Sequence, residues 1–291
     1  MRHNGSDMST RRQFLLNSAA TVAALSTRKL HALTPLNIPI GLQLYTVREA
    51  AERDLAPLLK QIRAIGYTEV ETYWNVYTHS AHDLRAMIAD AGLGVPSGHF
   101  DYAEFEGKFD YAHELGVQWM VCPMLPRAQW GSAEGFRKAA ADFNRWGARA
   151  QKLGMRFAFH NHNYEFRKFD SDTGYDILLQ ETDPALVSLE MDCYWMMQAG
   201  NDPLAMLKKL GSRIKMLHLK DRLPGFATSQ MLDDKAGHFT EVGAGTIHWR
   251  PILDAAQKLG VEHYFVEQDH TAGPALDSAR MSYNNLRKIL S

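Results

Sequence analysis

The stretch LAPLLKQIRAIGYTEVETYW, residues 55–74, combines an amphipathic helix with a buried strand. Leucine and isoleucine recur at helical spacing from Leu55 to Ile65, and Gly66 stands where such a helix ends. The run from Glu69 to Trp74 has the length and the β-branched and aromatic composition of a buried strand. The stretch therefore predicts a helix followed directly by a strand, which is the repeating unit of α/β proteins.

Seven more runs of this strand type occur along the chain, spaced by about 25 to 35 residues. They begin at Ile40, Val95, Trp119, Arg156, Val187, Ile214 and His263. Helical stretches separate them, which predicts parallel strands joined by helical crossovers. Eight such units in about 250 residues indicate a single-domain (β/α)8 TIM barrel. A doubly wound open sheet is the alternative, but the glycine-rich phosphate turn typical of that fold does not follow the first strand.

The N-terminal segment STRRQFLLNSAATVAAL, residues 9–25, has the layout of an export signal. Arg11 and Arg12 precede an alanine-rich apolar run that is too short to span a bilayer. The pattern from Thr10 to Leu15 resembles a twin-arginine signal. We therefore expect residues 1–33 to be signal and linker, residues 34–291 to be the barrel, and the protein to be periplasmic. A disordered basic tail is the alternative.

The composition is that of an ordinary soluble protein, with 45% hydrophobic and 22% charged residues and a formal net charge of -1. No long basic run is present, so we expect neither nucleic acid nor a membrane surface as a partner. Cys122 and Cys193 lie in apolar stretches and are expected to be buried thiols. Homo-oligomerisation stays open.

Polar side chains gather at the predicted ends of the strands, where the active site of a TIM barrel forms. The candidates are Gln43, Tyr45, Glu71, His99, His160, His162, Glu165, Glu190, Asp192, His218, Lys220, Asp221, Glu267 and Asp269. Strand four offers little. Carboxylates mixed with imidazoles suit a divalent ion such as Mn²⁺, Mg²⁺, Co²⁺ or Zn²⁺. Asp192, His218 and Glu267 stand on three consecutive strand ends, and together they predict one bound metal.

Each of these residues also has a purely structural interpretation. A single histidine at a strand end is more often part of a hydrogen-bonded framework than a ligand. Glu71 is either catalytic or paired with an arginine. Glu190 is expected to be a buried partner inside the barrel. Trp74 and Trp195 either stack on a sugar ring or pack in the core.

Three segments resemble the xylose isomerase-like TIM-barrel proteins, the sugar phosphate isomerases and epimerases, and the exported branch among them. They are HNHNYEF (160–166), MDCYWMMQAGNDPLAMLKKLGSRIKMLHLKD (191–221) and VEQD (266–269). The resemblance implies one divalent metal held by Glu, Asp, His and Glu from strands five to eight. Asp192, His218 and Glu267 match the last three. His160 stands where the strand-five glutamate is usual, so the fourth ligand stays open between His160, His162 and Glu165.

The resemblance implies a metal-dependent sugar isomerase or epimerase that removes a proton next to a carbonyl. In this interpretation His162, Glu71 and Lys220 are catalytic, while Gln43, His99 and Trp195 contact the carbohydrate substrate. Epimerases of the family use two metal-binding glutamates on opposite faces of the substrate. With His160 in place of one glutamate, this pair of bases is incomplete. A base on only one face of the substrate favours a lyase acting on a keto-inositol or a 3-keto-glycoside. A non-catalytic sugar-binding subunit and a metal-dependent hydrolase or endonuclease-like relative are further alternatives.

Overall fold

The computed structural model describes Met1 and residues 36–232 and 238–291. Within them Leu36–Ser291 form one compact unit. Apart from Met1, the predicted export signal at residues 1–33 lies outside the described residues. The signal and the periplasmic destination therefore stay predictions.

Eight parallel strands form a closed barrel in which each strand pairs with the next and the eighth pairs with the first. The strands are β1 (Gly41–Gln43), β2 (Glu69–Thr72), β3 (Gly94–His99), β4 (Trp119–Cys122), β5 (Arg156–His160), β6 (Val187–Asp192), β7 (Ile214–Leu219) and β8 (His263–Val266). The predicted single-domain TIM barrel is confirmed. The pairing of β1 with β8 excludes the open sheet.

The described residues contain ten α-helices, and the longer ones alternate with the strands. They are α1 (Arg48–Arg53), α2 (Leu55–Ile65), α3 (Ala81–Asp90), α4 (Phe109–Leu115), α5 (Ala133–Lys152), α6 (Gly174–Glu181), α7 (Cys193–Gln198), α8 (Pro203–Leu210), α9 (Trp249–Leu259) and α10 (Ala275–Leu290). Helix α2 ends at the predicted residue, since Gly66 follows it with φ of 127°. That conformation is costly for a residue with a Cβ atom, which here would also meet the ring of Tyr283. No helix in the described part of the chain is long and apolar enough to cross a bilayer.

The interior of the barrel changes from apolar to polar along the strands. Trp119, Val121, Ala158, Met216 and Phe265 form a buried apolar cluster of their own. Side chains two residues apart on a strand point to the same face. The inward residue therefore changes from Ala158 to His160, from Met216 to His218 and from Phe265 to Glu267. On these three strands the inward residue nearest the carboxyl end is therefore polar.

Cys122 and Cys193 are free and buried, as expected. Both thiols lie in the apolar core beside the barrel wall. Burial raises the pKa of each thiol well above its ordinary value. Neither cysteine is therefore a reactive or metal-binding group.

Candidate metal centre and active site

Four side chains from the ends of β5 to β8 form a buried group with the composition of a metal site. His160, Asp192, His218 and Glu267 each offer one ligand atom, and these four atoms lie within 4.8 Å of one another. His160 Nε2 is 3.4 Å from Asp192 Oδ2, and His218 Nδ1 is 2.7 Å from Glu267 Oε2. Two imidazoles and two carboxylates suit a borderline divalent cation. We call this group the metal cluster.

Unpartnered atoms show that the metal cluster fits a cation. His160 is almost fully buried, yet neither of its ring nitrogens has a hydrogen-bond partner among the described residues, and neither does Asp192 Oδ2. Buried polar atoms without hydrogen-bond partners are costly, so the approach of His160 Nε2 to Asp192 Oδ2 in the cluster calls for a bound group. A divalent ion would satisfy Asp192 Oδ2 and His160 Nε2, which lies 3.4 Å from it.

The orientation of His218 supports the same conclusion. Its Nδ1 faces the metal cluster, while its Nε2 lies 2.7 Å from Glu71 Oε2 and 3.3 Å from Glu190 Oε2. Histidines that bind metals usually donate their other ring N–H to a carboxylate, which fixes the tautomer and strengthens the ligand. Glu71 and Glu190 therefore act as the carboxylates behind the ligand.

Glu71, which the sequence predicts to be catalytic, lies beside His218 and does not line the cavity described below. It is fully buried and accepts hydrogen bonds from Gln43 Nε2 at 2.7 Å and from Ser97 Oγ. Burial raises the pKa of Glu71, but the His99 and His218 rings outweigh that effect and hold the pKa well below its usual range. Gln43 is equally buried beneath the site, so its predicted contact with substrate is not supported either.

Glu165 does not reach the metal cluster, although it was one of the three candidates for the fourth ligand. It lies in a short helical turn after β5, Tyr164–Phe166, and both of its carboxylate oxygens accept from the backbone N–H of His162 at 3.0 Å. Burial raises the pKa of Glu165 to about 8. Its side chain is used to hold the HNHNYEF loop, and the structure brings His160 to the fourth position instead.

A cavity of about 110 Å³ opens above the metal cluster. Its ionisable lining residues include His99, His160, His162, Lys220, Glu267, Asp269 and Arg127. The predicted substrate contacts His99 and Trp195 both line it, as do Tyr45 and Trp74. His99 also holds Glu190, since its Nε2 lies 2.8 Å from Glu190 Oε2.

Lys220 is a buried cation at the edge of this cavity. Its ammonium lies 2.7 Å from Glu267 Oε2, 2.8 Å from Asp269 Oδ1 and 3.3 Å from Asp192 Oδ2. Burial lowers the pKa of Lys220, but the three carboxylates outweigh that effect and raise it well above its ordinary value. Lys220 therefore holds a proton that it can share with an oxygen in the cavity.

His162 has the opposite electrostatic character. Burial and then the neighbouring His160 and Lys220 lower its pKa well below the ordinary value, so the ring is a neutral imidazole. Its Nδ1 has no hydrogen-bond partner among the described residues. The ring is positioned between Trp195 and Tyr164, with centroid distances of 5.2 and 5.9 Å. The free Nδ1 of a fixed imidazole beside the cavity is placed to accept a proton.

Several lining residues were not predicted from the sequence. Strand four was expected to contribute little, yet Pro123, Met124 and Arg127 follow it and line the cavity. These residues carry no polar pattern that marks them. Asp269 was predicted to lie at the rim but was given no role, although it belongs to the segment VEQD that carries the family resemblance. Asp221, also placed at the rim, instead accepts from the backbone N–H groups of Gly243 and Ile247 and holds their loop.

The fold and the site define a TIM barrel with a candidate metal centre at the carboxyl ends of β5 to β8. Residues 59–289 match the family of the xylose isomerase-like TIM barrel, and the chain belongs to that family.

Curated relatives of the chain include two inosose dehydratases. One, from Geobacillus thermodenitrificans, is 28% identical over 229 residues, which are 67% of this chain and 76% of that protein. Another, from Lacticaseibacillus casei, is 28% identical over 245 residues, which are 72% of this chain and 81% of that protein.

Two solved structures share the fold. A sugar phosphate isomerase/epimerase from Parabacteroides distasonis has a TM-score of 0.71 at 24% identity, covering 90% of this chain and 97% of its own. The IOLI protein with a bound zinc atom has a TM-score of 0.68 at 18% identity, covering 87% of this chain and 98% of its own. At these identities the likeness concerns the fold alone.

Proposed function

We propose that this protein is a metal-dependent lyase that acts on a six-membered polyhydroxylated ketone, with a keto-inositol as its substrate. It removes the proton on the carbon next to the carbonyl and expels the oxygen substituent on the following carbon. The pairing of a neutral His162 with a protonated Lys220 at one cavity carries this proposal. The inosose dehydratases among its relatives support the substrate class.

The acid and the base are distinct residues held by one aromatic ring. The Trp195 ring packs against the His162 ring. Lys220 Nζ lies 5.7 Å from the centroid of the Trp195 ring. Elimination of water needs one group that accepts a proton and one that donates a proton to the leaving oxygen. His162 has an unpartnered ring nitrogen to accept the first proton, and the Lys220 ammonium lines the same cavity and can donate the second.

Epimerisation has weaker support, because it needs a second base on the opposite face of the substrate. Burial raises the pKa of Glu267, but Lys220 and His218 outweigh it and lower that pKa far below the ordinary value. Lys220 Nζ and His218 Nδ1 each lie 2.7 Å from Glu267 Oε2, so that oxygen is not free to take a proton from a substrate. The second metal-binding glutamate that an epimerase would use is replaced here by His160, whose ring belongs to the metal cluster.

The residues divide the reaction as follows. A cation held by His160, Asp192, His218 and Glu267 would polarise the carbonyl and acidify the neighbouring C–H group. His162 takes the proton from that carbon, a carbon–carbon double bond forms, and the bond from the next carbon to oxygen breaks. Lys220 gives its proton to the departing oxygen, which leaves as water, and Asp269 keeps Lys220 in position. The products are an unsaturated ketone and water.

We also propose that the lyase acts in the periplasm, because residues 1–33 have the pattern of an export signal.

The test is to incubate the purified protein with a keto-inositol in heavy water and to follow both loss of water and isotope uptake by mass spectrometry. The expected result is loss of one water, absent in His162→Asn. Isotope uptake without loss of water would instead establish an epimerase. Binding of the substrate with neither reaction would establish a sugar-binding subunit.

A further inference from the structure

Asn161 stands in the chain between the metal ligand His160 and the proposed base His162, but it does not line the active-site cavity. Its side chain is almost fully buried, with an exposed fraction of 1%. A buried amide has to satisfy both its oxygen and its nitrogen, so its partners show which groups it holds in place. The partners of Asn161 lie at the ends of two neighbouring strands, β5 and β6.

The amide joins the peptide of the base to the peptide of a metal ligand. Asn161 Oδ1 accepts from the backbone N–H of Asp192 at 3.1 Å, and Asn161 Nδ2 donates to the backbone carbonyl of His162 at 3.3 Å. An N–H group pairs with the amide oxygen and a carbonyl with the amide nitrogen, so the two partners fix the orientation of the amide. Asp192 is the last residue of β6 and a member of the metal cluster. One side chain therefore links the base to the metal cluster.

A second link runs through the ring of Trp195. Asp192 Oδ2 approaches His160 within the metal cluster, while its other oxygen, Oδ1, accepts from the backbone N–H of Trp195 at 2.8 Å. The Trp195 ring in turn packs against the His162 ring. Asp192 thus holds the ring of the base through Trp195 and the peptide of the base through Asn161.

The hydrogen bonds of Glu165 have a different effect. Glu165 accepts from the backbone N–H of His162, which lies three residues earlier in the same loop. Such a contact fixes the shape of the loop but not its distance from β6. Asn161 fixes that distance, because its partner Asp192 belongs to another strand.

We propose that Asn161 is a positioning residue that holds His162 at a set distance from the metal cluster and thereby sets the rate of proton removal. This inference rests on the proposed function, in which His162 is the base. A base must lie within about 3 Å of the proton that it removes, and a misplacement of about 1 Å can lower the rate about 100-fold. Substrate affinity depends little on Asn161, because its side chain does not line the cavity.

The test uses two variants of Asn161 and one matched control. Asn161→Asp keeps an oxygen for the N–H on β6 but loses the donor to His162, and Asn161→Ala removes both hydrogen bonds without adding a charge. Asn144→Asp is the control, because Asn144 also joins a backbone carbonyl, that of Glu181, to a backbone N–H, that of Asp183, at 2.9 and 2.7 Å. It lies on α5 and does not line the active-site cavity.

The first measurement is the rate of water loss from a keto-inositol. Both Asn161 variants are expected to lower kcat about 10- to 100-fold and to leave KM within about twofold of the wild-type value. Asn161→Asp is expected to keep stoichiometric metal, and Asn144→Asp to keep the wild-type kcat. Deuterium on the carbon next to the carbonyl should give a larger isotope effect in the Asn161 variants, because proton removal becomes the slow step.

The second measurement needs no turnover. In protein that carries ¹⁵N-labelled histidine and bound Co²⁺, the paramagnetic shift of the His162 ring nitrogens depends on their distance from the ion, and the spectrum of His162→Asn assigns their signals. The shift is expected to change in both Asn161 variants and to stay constant in Asn144→Asp. A wild-type protein that releases no water would contradict the proposed function, while this shift would still test Asn161.

Three results would overturn the inference. They are an unchanged kcat in the Asn161 variants, a fall in activity that a higher KM or loss of metal accounts for, and an unchanged shift of the His162 ring. Thermal unfolding of each variant checks that the fold is retained, and Asn161→Ala carries the test if Asn161→Asp does not fold.

Discussion

Oε2 of Glu71 lies 2.7 Å from Nε2 of His218, and the opposite ring nitrogen of His218 faces the metal cluster. One carboxylate beneath the site thus sets the tautomer of a ligand above it. The deep position of Glu71 follows from its place on β2, where Gln43 and Ser97 from the two neighbouring strands hold it.

Glu71→Gln is expected to weaken metal binding by about 10- to 100-fold, because an amide is a poorer acceptor for the ring N–H of His218. Competition with a fluorescent chelator measures the change. Glu69→Gln is the matched control, since Glu69 is on the same strand but pairs with His263 away from the metal cluster. Equal losses in the two variants would contradict the role assigned to Glu71.

The two histidines of HNH are expected to separate by function. His160→Asn should lose stoichiometric metal, because it removes one of four ligands. His162→Asn should keep the metal and lose about 10²- to 10⁴-fold in turnover, the usual effect of removing a general base. Metal analysis beside the rate of water loss distinguishes them. A metal-free His162→Asn protein would reverse the two assignments.

Lys220→Met is expected to bind a divalent cation more tightly and to turn over more slowly. The ammonium lies against Glu267 Oε2 and Asp192 Oδ2, two of the oxygens that face the metal, so its positive charge opposes a cation there. Calorimetric titration with Mn²⁺ and the rate of water loss measure the two effects. Weaker metal binding in Lys220→Met would show that the lysine supports the cluster.

The free energy of unfolding is expected to depend on Glu165 between about pH 5 and pH 8. The folded-state pKa of Glu165 is raised to about 8, so the folded protein keeps a proton that the unfolded chain has already lost in this range. Stability contributed by the protonated group is therefore lost as the pH rises. Glu165→Gln should show a smaller decrease than the wild-type protein in urea titrations with a chelator present. Identical slopes would mean that Glu165 titrates normally.

The barrel was predictable because each element carries its own period. A helix that buries one face has an apolar residue every three or four positions, whereas a buried strand is a short continuous apolar run. Gly66 marks the end of α2, because it has a positive φ that other residues avoid. The polar rim was predictable as well, since the parallel strands of a barrel end on the same side. Asp192, His218 and Glu267 needed no further information to be placed together.

The direction and depth of each side chain were not predictable in this way. Glu165 and His160 are five residues apart and equally capable ligands by chemistry, but Glu165 turns back to the N–H of His162 while His160 points into the barrel. Glu71 is drawn beneath the site by hydrogen bonds to three other strands. Arg127 and Met124 line the cavity from the loop after β4, whose sequence contains no motif that indicates a site.

The sequence by itself therefore determined the fold, the rim at which chemistry is placed and three members of the metal cluster, because local periodicity and strand order carry that information. Only the tertiary structure decided which polar residue binds, which supports and which lines the cavity. That choice depends on contacts between strands distant in sequence, and on which buried polar atoms find a partner and which are left facing one another.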